Sequence, residues 1–250
     1  MDERSLPLTA HLAELRGRLA KILLAWASGA AVCWSFAEEI FAVLLAPATV
    51  ALGPEGRLQA IAPAEIFFTY LKCALLAGFG LALPVVFWQI WAFVSPGLYP
   101  GEKRVAVPFV AASTLLFLGG AAFGYVAVFP LIYVFFAGFS SDLVEAAWTM
   151  REVFALTTRL LLAFGAGFEM PVVVFFLAAS GLVTPRQLLG GFKYAVLAAF
   201  VGGAVLTPPD PVSQTLLAGP LILLYLLGVG VAYLFAPRRK APAGEAAPAP

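Results

Sequence analysis

Charge is scarce in this chain. Of its 250 residues, 12% are Asp, Glu, Lys or Arg and 62% are hydrophobic, where soluble proteins carry about 25% charged and roughly 45–50% apolar residues. Too little polar surface remains to coat a folded particle in water, and a mean hydropathy of +0.96 assigns the chain to a lipid bilayer. A formal net charge of +1 excludes nucleic acid as a partner, because phosphate binding on that scale needs clustered basic side chains to displace counterions.

Chemistry-bearing residues are equally sparse. The single histidine, His11, lies in the polar N-terminal segment, which excludes a His-Glu-x-x-His zinc protease and a membrane-embedded imidazole base. Asp2, Asp142 and Asp210 are the only aspartates, none inside a hydrophobic run, so a paired-aspartate intramembrane protease fails too. None of the lysines follows a glycine, and a phosphate loop for nucleotide hydrolysis is therefore absent. Cys33 and Cys73 sit in or beside apolar stretches and read as small hydrophobes, not as a disulfide or metal site. No catalytic residue, metal or cofactor is expected, and the chain does not read as an enzyme.

What is abundant is apolar sequence in runs of membrane-spanning length. About 20 helical residues cross a hydrocarbon core of about 30 Å, and six runs emerge: Leu19–Ala37, Ile66–Val94, Val105–Phe129, Val153–Ser180, Tyr194–Leu206 and Leu216–Ala236. Backbone groups cannot go unpaired in lipid, so each reads as a helix. The fold class is thus an all-α membrane protein, a six-transmembrane-helix bundle. Residues 1–18 read as a cytoplasmic amphipathic segment, 19–236 as the membrane domain and 237–250 as a tail too polar and proline-rich to bury a core.

Six crossings place both termini on one side. Arg4, Arg16, Arg18, Lys21, Lys103, Arg104, Arg186, Lys193, Arg238, Arg239 and Lys240 fall on the side of the termini, against Arg57, Lys72, Arg151 and Arg159 on the other, so N- and C-termini are expected to be cytoplasmic. The first apolar run is followed by Glu38-Glu39 and a second apolar stretch and reads as a retained span, not a cleaved signal. Phe41–Leu52, with Pro47, and the stretch after Pro130 read as short helices lying on the outer face. The fifth run reaches only about 20 Å as a helix, so the turn Thr207-Pro208-Pro209-Asp210-Pro211 should sit below the outer headgroups. Gly78-x-Gly80-x-x-x-Pro84-Val85-Val86 is echoed by Gly165-x-Gly167-x-x-x-Pro171-Val172-Val173, and a kink is expected near each proline.

Among candidate functional residues, Glu169 stands out. Eleven residues before Ser180, it lies about 16 Å from the inner boundary, near the midplane, where an ionisable side chain costs about 2.5–3.5 kcal/mol to insert; it should face a partner or water, or serve as a structural hydrogen bond. Lys72 and Arg159 lie at the outer interface, where snorkelling accounts for them. On the cytoplasmic side, His11, Glu14 and Arg18 share one helical face, and a Glu14–Arg18 pair on a solvated face is expected. The proline- and glycine-rich loop from Phe93 to Arg104 contains one acid, Glu102, which topology does not require.

Six separated motifs stand out: His11-Leu12-x-Glu14-Leu15-Arg16-x-Arg18-Leu19; Pro63-x-Glu65-x-Phe67 with Lys72; Gln89-x-Trp91-x-Phe93-Val94-x-Pro96-Gly97-Leu98-Tyr99-x-x-Glu102; Gly120-Ala121-Ala122-Phe123-Gly124-Tyr125; Phe164-Gly165-x-x-Phe168-Glu169-x-Pro171; and Leu206-Thr207-Pro208-Pro209-Asp210-Pro211-x-Ser213-Gln214. In this order they resemble the TatC family of the twin-arginine, Sec-independent protein translocase. The resemblance implies a cupped bundle with short fifth and sixth helices in the bacterial cytoplasmic (inner) membrane. It implies a receptor and core subunit that binds twin-arginine signal peptides of folded cargo, recruits TatA/TatB-type single-span proteins, self-associates, and supports export driven by the proton-motive force.

By the same resemblance, His11, Glu14, Arg16, Pro96, Leu98 and Glu102 belong to the signal-peptide site. Glu169, Thr207 and Gln214 belong to the partner-binding, intramembrane site, and Pro47 and Asp210 are outer-side functional positions. The chain departs from the family pattern at Leu226 after Tyr225, where an acid is common, and at Lys193, which stands alone where a basic cluster is common. A rival expectation, a proton-coupled carrier of a small solute with Glu169 titrating at mid-depth, explains that one residue only.

Overall fold

In a computed structural model the chain is helical almost throughout, with residues 8–54, 56–94, 106–141 and 147–235 described. Helix α1 spans Leu8–Trp34 and α2 Ala37–Leu52; α3 spans Glu65–Val94; α4 (Ala106–Phe123) continues through a π turn at Gly124–Val128 into α5 (Phe129–Ala137). Then come α6 (Met150–Phe168), α7 (Met170–Ala179), α8 (Pro185–Gly190), α9 (Phe192–Leu206) and α10 (Pro211–Phe235). Among the described residues, extended pairing is confined to one isolated bridge, Gln59 with Thr149.

Among the described residues, four runs are long and apolar enough to cross a membrane: Glu65–Phe93, Val107–Ala137, Met150–Ala179 and Pro211–Leu234. Helices α1 and α2 pass the same test as a pair bent by 90°, and α9 is a shorter apolar helix. Large apolar side chains face outward around the bundle, with Leu24, Leu115, Val126 and Leu223 each more than two-thirds exposed. A surface of that kind is stable against lipid tails, not water.

Three departures from the sequence-based expectation have physical causes. The stretch after Pro130 does not lie apart on the surface; it extends the third span to Ala137. The Phe129 N–H reaches back five residues to the Gly124 carbonyl, so the proline enters where the hydrogen-bond ladder has already shifted, and the helix continues past it. The segment carrying Glu14 is not separate from the first span, since α1 runs unbroken from Leu8. Of the two helices expected to be short, α9 is, at 15 residues; α10 is not, at 25, because it begins at Pro211 behind an Asp210 cap, ahead of the apolar run at Leu216.

Glycines set the closest helix approaches. Helix α1 packs along α3 with Gly29 against Gly78, so near that a Cβ on Gly78 would stand 2.3 Å from the Ala30 nitrogen, and Trp26 Nε1 donates across the seam to the Leu75 carbonyl at 2.7 Å. Helix α4 and the π turn after it meet α6 through Gly120 and Gly124 against Phe164, and through Gly165 against Phe117. The main core, Leu45, Cys73, Phe129, Ile132, Leu160, Phe164 and Leu217 among others, lies where α2, α3, α5, α6 and α10 converge. A second cluster, Val174, Ala178, Leu188 and Val229, joins α7, α8 and α10. Both cysteines are buried and unpaired.

The end of the bundle bearing residues 56–64 and 147–152 is knitted by backbone bonds. Gln59 N–H donates to the Trp148 carbonyl and Met150 N–H to the Gln59 carbonyl, each at 2.9 Å. The Glu65 carboxylate accepts from Ile61 N–H (2.8 Å) and Ala62 N–H (3.2 Å) through one oxygen and from Arg151 N–H (3.0 Å) through the other. One acid thereby ties the first turn of α3 to its own preceding loop and to the start of α6. The sequence motif containing Glu65 held no hint of the Arg151 contact beyond the general preference for acids at helix N-termini.

Candidate functional site

The first candidate group lies on the early turns of α1. Glu14 is half-buried there, and its carboxylate holds the guanidinium of Arg18 one turn on, with Arg18 Nε donating at 3.1 Å and Arg18 Nη2 making a second, shorter contact to the same oxygen. Arg16 points away and is exposed. The His11 side chain, and Pro96, Leu98 and Glu102 entirely, lie outside the described residues.

The second group gathers at the turn between α9 and α10. Thr207 ends α9 in an extended conformation, and its N–H (2.8 Å) and hydroxyl (2.9 Å) both donate to the Gly203 carbonyl. Asp210 begins α10: its Oδ1 accepts the Ser213 N–H at 2.7 Å, the bond of an N-cap with Pro211 at the first helical position. Gln214 Nε2 reaches across to the Phe200 carbonyl at 2.7 Å and clamps α10 to α9. Asp210 Oδ2 and the hydroxyl of the fully buried Ser213 are left without hydrogen-bond partners. Thr207, Asp210 and Gln214 therefore form one cluster, held by local geometry that the Thr-Pro-Pro-Asp-Pro run encodes.

Glu169 stands apart from both groups. It occupies the break between α6 and α7, and the cause is Pro171, which has no N–H for the Gly167 carbonyl and crowds it. The chain ends α6 with Glu169 N–H donating to the Ala166 carbonyl at 3.1 Å and restarts with Val172 and Val173 N–H both donating to the Glu169 carbonyl at 2.9 Å. The carboxyl thus sits at the head of α7, where the exposed amide dipoles favour an acid. The kink expected at Pro171 is here, whereas α3 runs through Pro84 without interruption.

Around the carboxyl, Ser113 on α4 is the neighbouring hydrogen-bonding side chain. Ser113 Oγ and Glu169 Oε1 are both buried and short of hydrogen-bond geometry with any partner. Ser113 was not singled out from sequence, since its approach depends on the glycine-mediated crossing of α4 and α6.

Pro47 lies inside α2, between the buried Leu45 and Ala48. Its missing N–H leaves the Val43 carbonyl free, and the Tyr125 hydroxyl from the π turn donates to that oxygen at 2.5 Å. At the far end of the fold, the Tyr225 hydroxyl donates to the Leu188 carbonyl at 2.7 Å, tying α10 to α8, and Lys193 Nζ lies 5.1 Å over the ring of Tyr194. These contacts involve α9 and α10, the helices that carry Lys193 and Leu226.

Comparison with known proteins places this arrangement. The model of the Sec-independent protein translocase protein family (TatC) matches residues 10–220. A Sec-independent protein translocase protein TatC from Desulforapulum autotrophicum is 43% identical over 246 residues, covering 98% of this chain and 91% of the relative. One from Magnetococcus marinus is 42% identical over 227 residues, covering 91% and 84%. A crystal structure of the twin-arginine translocase receptor TatC superposes with a TM-score of 0.81 at 38% identity, covering 90% of this chain and 98% of that one. With its six-run apolar layout, its helical bundle and its motifs matched along nearly their whole length, the chain belongs to the TatC family of Sec-independent protein translocase proteins.

Proposed function

We propose that this chain is the receptor and core subunit of a bacterial twin-arginine translocase, seated in the inner membrane with both termini in the cytoplasm. In this reading it binds the arginine pair of a signal peptide through Glu14 and Glu102. It recruits TatA/TatB-type single-span proteins through Glu169 and the Thr207–Gln214 turn, for export driven by the proton-motive force. The observation that carries the reading is the state of Glu14: a half-buried carboxylate at the base of a membrane helix, already holding a guanidinium.

Arg18 occupies Glu14 as an incoming arginine would, and the strength of that contact decides whether it stands in the way. A pair at this spacing on a helix contributes about 0.3–0.5 kcal/mol, so exchanging Arg18 for a signal arginine costs little. A planar guanidinium offers a carboxylate two parallel donors, which an ammonium cannot reproduce, so acids read arginine over lysine. The apolar segment of the signal supplies most of the remaining affinity.

Binding of a labelled signal peptide to membranes containing the full chain tests this reading. Glu14→Gln and Glu102→Gln are expected to weaken an arginine-pair peptide far more than a lysine-pair control; equal losses for both peptides would remove the paired-acid recognition.

A further inference from the structure

We propose that a groove between α5, α6 and the α9–α10 turn binds the headgroup of an anionic phospholipid, with Arg159 receiving the phosphate. The groove has a volume of about 660 Å³, and Tyr133, Phe136, Trp148, Leu156, Arg159 and Pro208 are among the residues that line it. Most of its wall is aromatic or aliphatic, which suits acyl chains. Its polar capacity is concentrated in a few groups, because two of its hydroxyls are already used. Tyr133 is bonded to Thr157 at 2.6 Å and to the Val153 carbonyl at 3.2 Å, and Thr207 donates to Gly203.

Charge singles out Arg159. The acid on the same wall, Glu152, pairs with Arg151 at 3.3 Å, and the ion pairs among the described residues do not include Arg159. An exposed guanidinium therefore stands over an apolar wall without a countercharge among the described residues. Counted from an inner boundary at Ser180, Arg159 lies 21 residues, about 31 Å, up the span, so its backbone stands at the outer edge of a core of about 30 Å and its long side chain reaches toward the headgroup phosphates. Trp148, whose indole N–H has no acceptor among the described residues, packs 5.7 Å from Tyr133 at the same mouth, the pairing of aromatic belt and cation that marks a headgroup zone.

Lys72 is the contrast. It borders an apolar groove of about 350 Å³ with Trp26, Leu75, Phe79 and Phe154 and presents an ammonium, for which snorkelling suffices. A guanidinium fork matches two phosphate oxygens at once.

The test is native mass spectrometry of the full chain in detergent, titrated with phosphatidylglycerol or phosphatidylcholine of identical acyl chains. Both lipids carry a phosphate, but choline neutralises its charge and sets a second cation near the guanidinium, so phosphatidylglycerol is expected to bind about tenfold more tightly. Arg159→Gln is expected to erase that preference, Arg159→Lys to keep part of it, and Lys72→Gln to leave it unchanged. Retention of the preference in Arg159→Gln, or its equal loss in Lys72→Gln, would overturn the site. Glycerol phosphate at millimolar concentration is expected not to displace the lipid; full displacement would make this a site for soluble phosphate and overturn the lipid assignment.

Discussion

The hydroxyl of Tyr125 donates to the carbonyl of Val43, and that carbonyl is free because the residue four places on, Pro47, has no N–H to offer it. Pro47, which the family resemblance implies to be an outer-side functional position, thus opens an acceptor, and the π turn carrying Tyr125 supplies the donor. Two helices far apart in sequence are joined by a bond that neither could make alone.

Removing the donor strands the acceptor. Tyr125→Phe is expected to lower stability by about 0.5–1.5 kcal/mol. Pro47→Ala restores an N–H within reach of Val43, so the same Tyr125→Phe change should cost less in a Pro47→Ala background. Thermal unfolding of the four proteins in one detergent measures the coupling, and strictly additive losses would show the two residues to be independent.

The two glycines of the motif in α3 make a matched pair. A Cβ on Gly78 would meet the Ala30 backbone at 2.3 Å, while one on Gly80 would meet nothing within 4 Å. Gly78→Ala is therefore expected to force α1 and α3 apart at a cost of about 1–3 kcal/mol, and Gly80→Ala to be neutral or slightly stabilising. Trp26 reports the difference, since its hydrogen bond to Leu75 spans the same seam: its fluorescence should shift in the first variant and not the second.

Hydropathy and proline placement carried much of this fold. Thr207-Pro208-Pro209 ends α9 where the apolar run ends, and the expected Tyr194–Leu206 differs from the observed helix by two residues at its start. Proline misled at Pro130, because the π turn that absorbs it leaves no mark in the residue pattern. The depth of Glu169 followed from counting helical rise, yet its neighbour Ser113 did not, since that approach requires Gly120 and Gly165 to let two helices close. Arg159 was legible as an interfacial cation, but its lack of a countercharge among the described residues became visible only once Glu152 was seen to be engaged by Arg151.

Asp210 has a structural duty that a functional assay alone would confuse with a partner contact. Its Oδ1 caps α10 through the Ser213 N–H, while Oδ2 is buried and unpaired. Asp210→Ala is expected to cost about 1 kcal/mol and fray the first turn of α10, and Asp210→Asn to keep the cap. Hydrogen exchange at Ser213 and Gln214 reads the cap directly. An export defect in Asp210→Asn with unchanged exchange would then locate the defect in the second oxygen, the one with no hydrogen-bond partner among the described residues.

Glu169 separates stability from function in the opposite sense. A carboxyl serving as an internal hydrogen bond would make the chain less stable when removed. Here Oε1 is buried without a partner, so an apolar side chain of similar size relieves a desolvation cost. Glu169→Leu is expected to unfold no more easily than wild type while failing to co-purify a single-span partner. Glu169→Gln, which keeps an acceptor and adds a donor, should co-purify it better than Glu169→Ala. A marked loss of thermal stability in Glu169→Leu, with partner capture intact, would instead make Glu169 an internal strut and move the partner site to the Thr207–Gln214 turn.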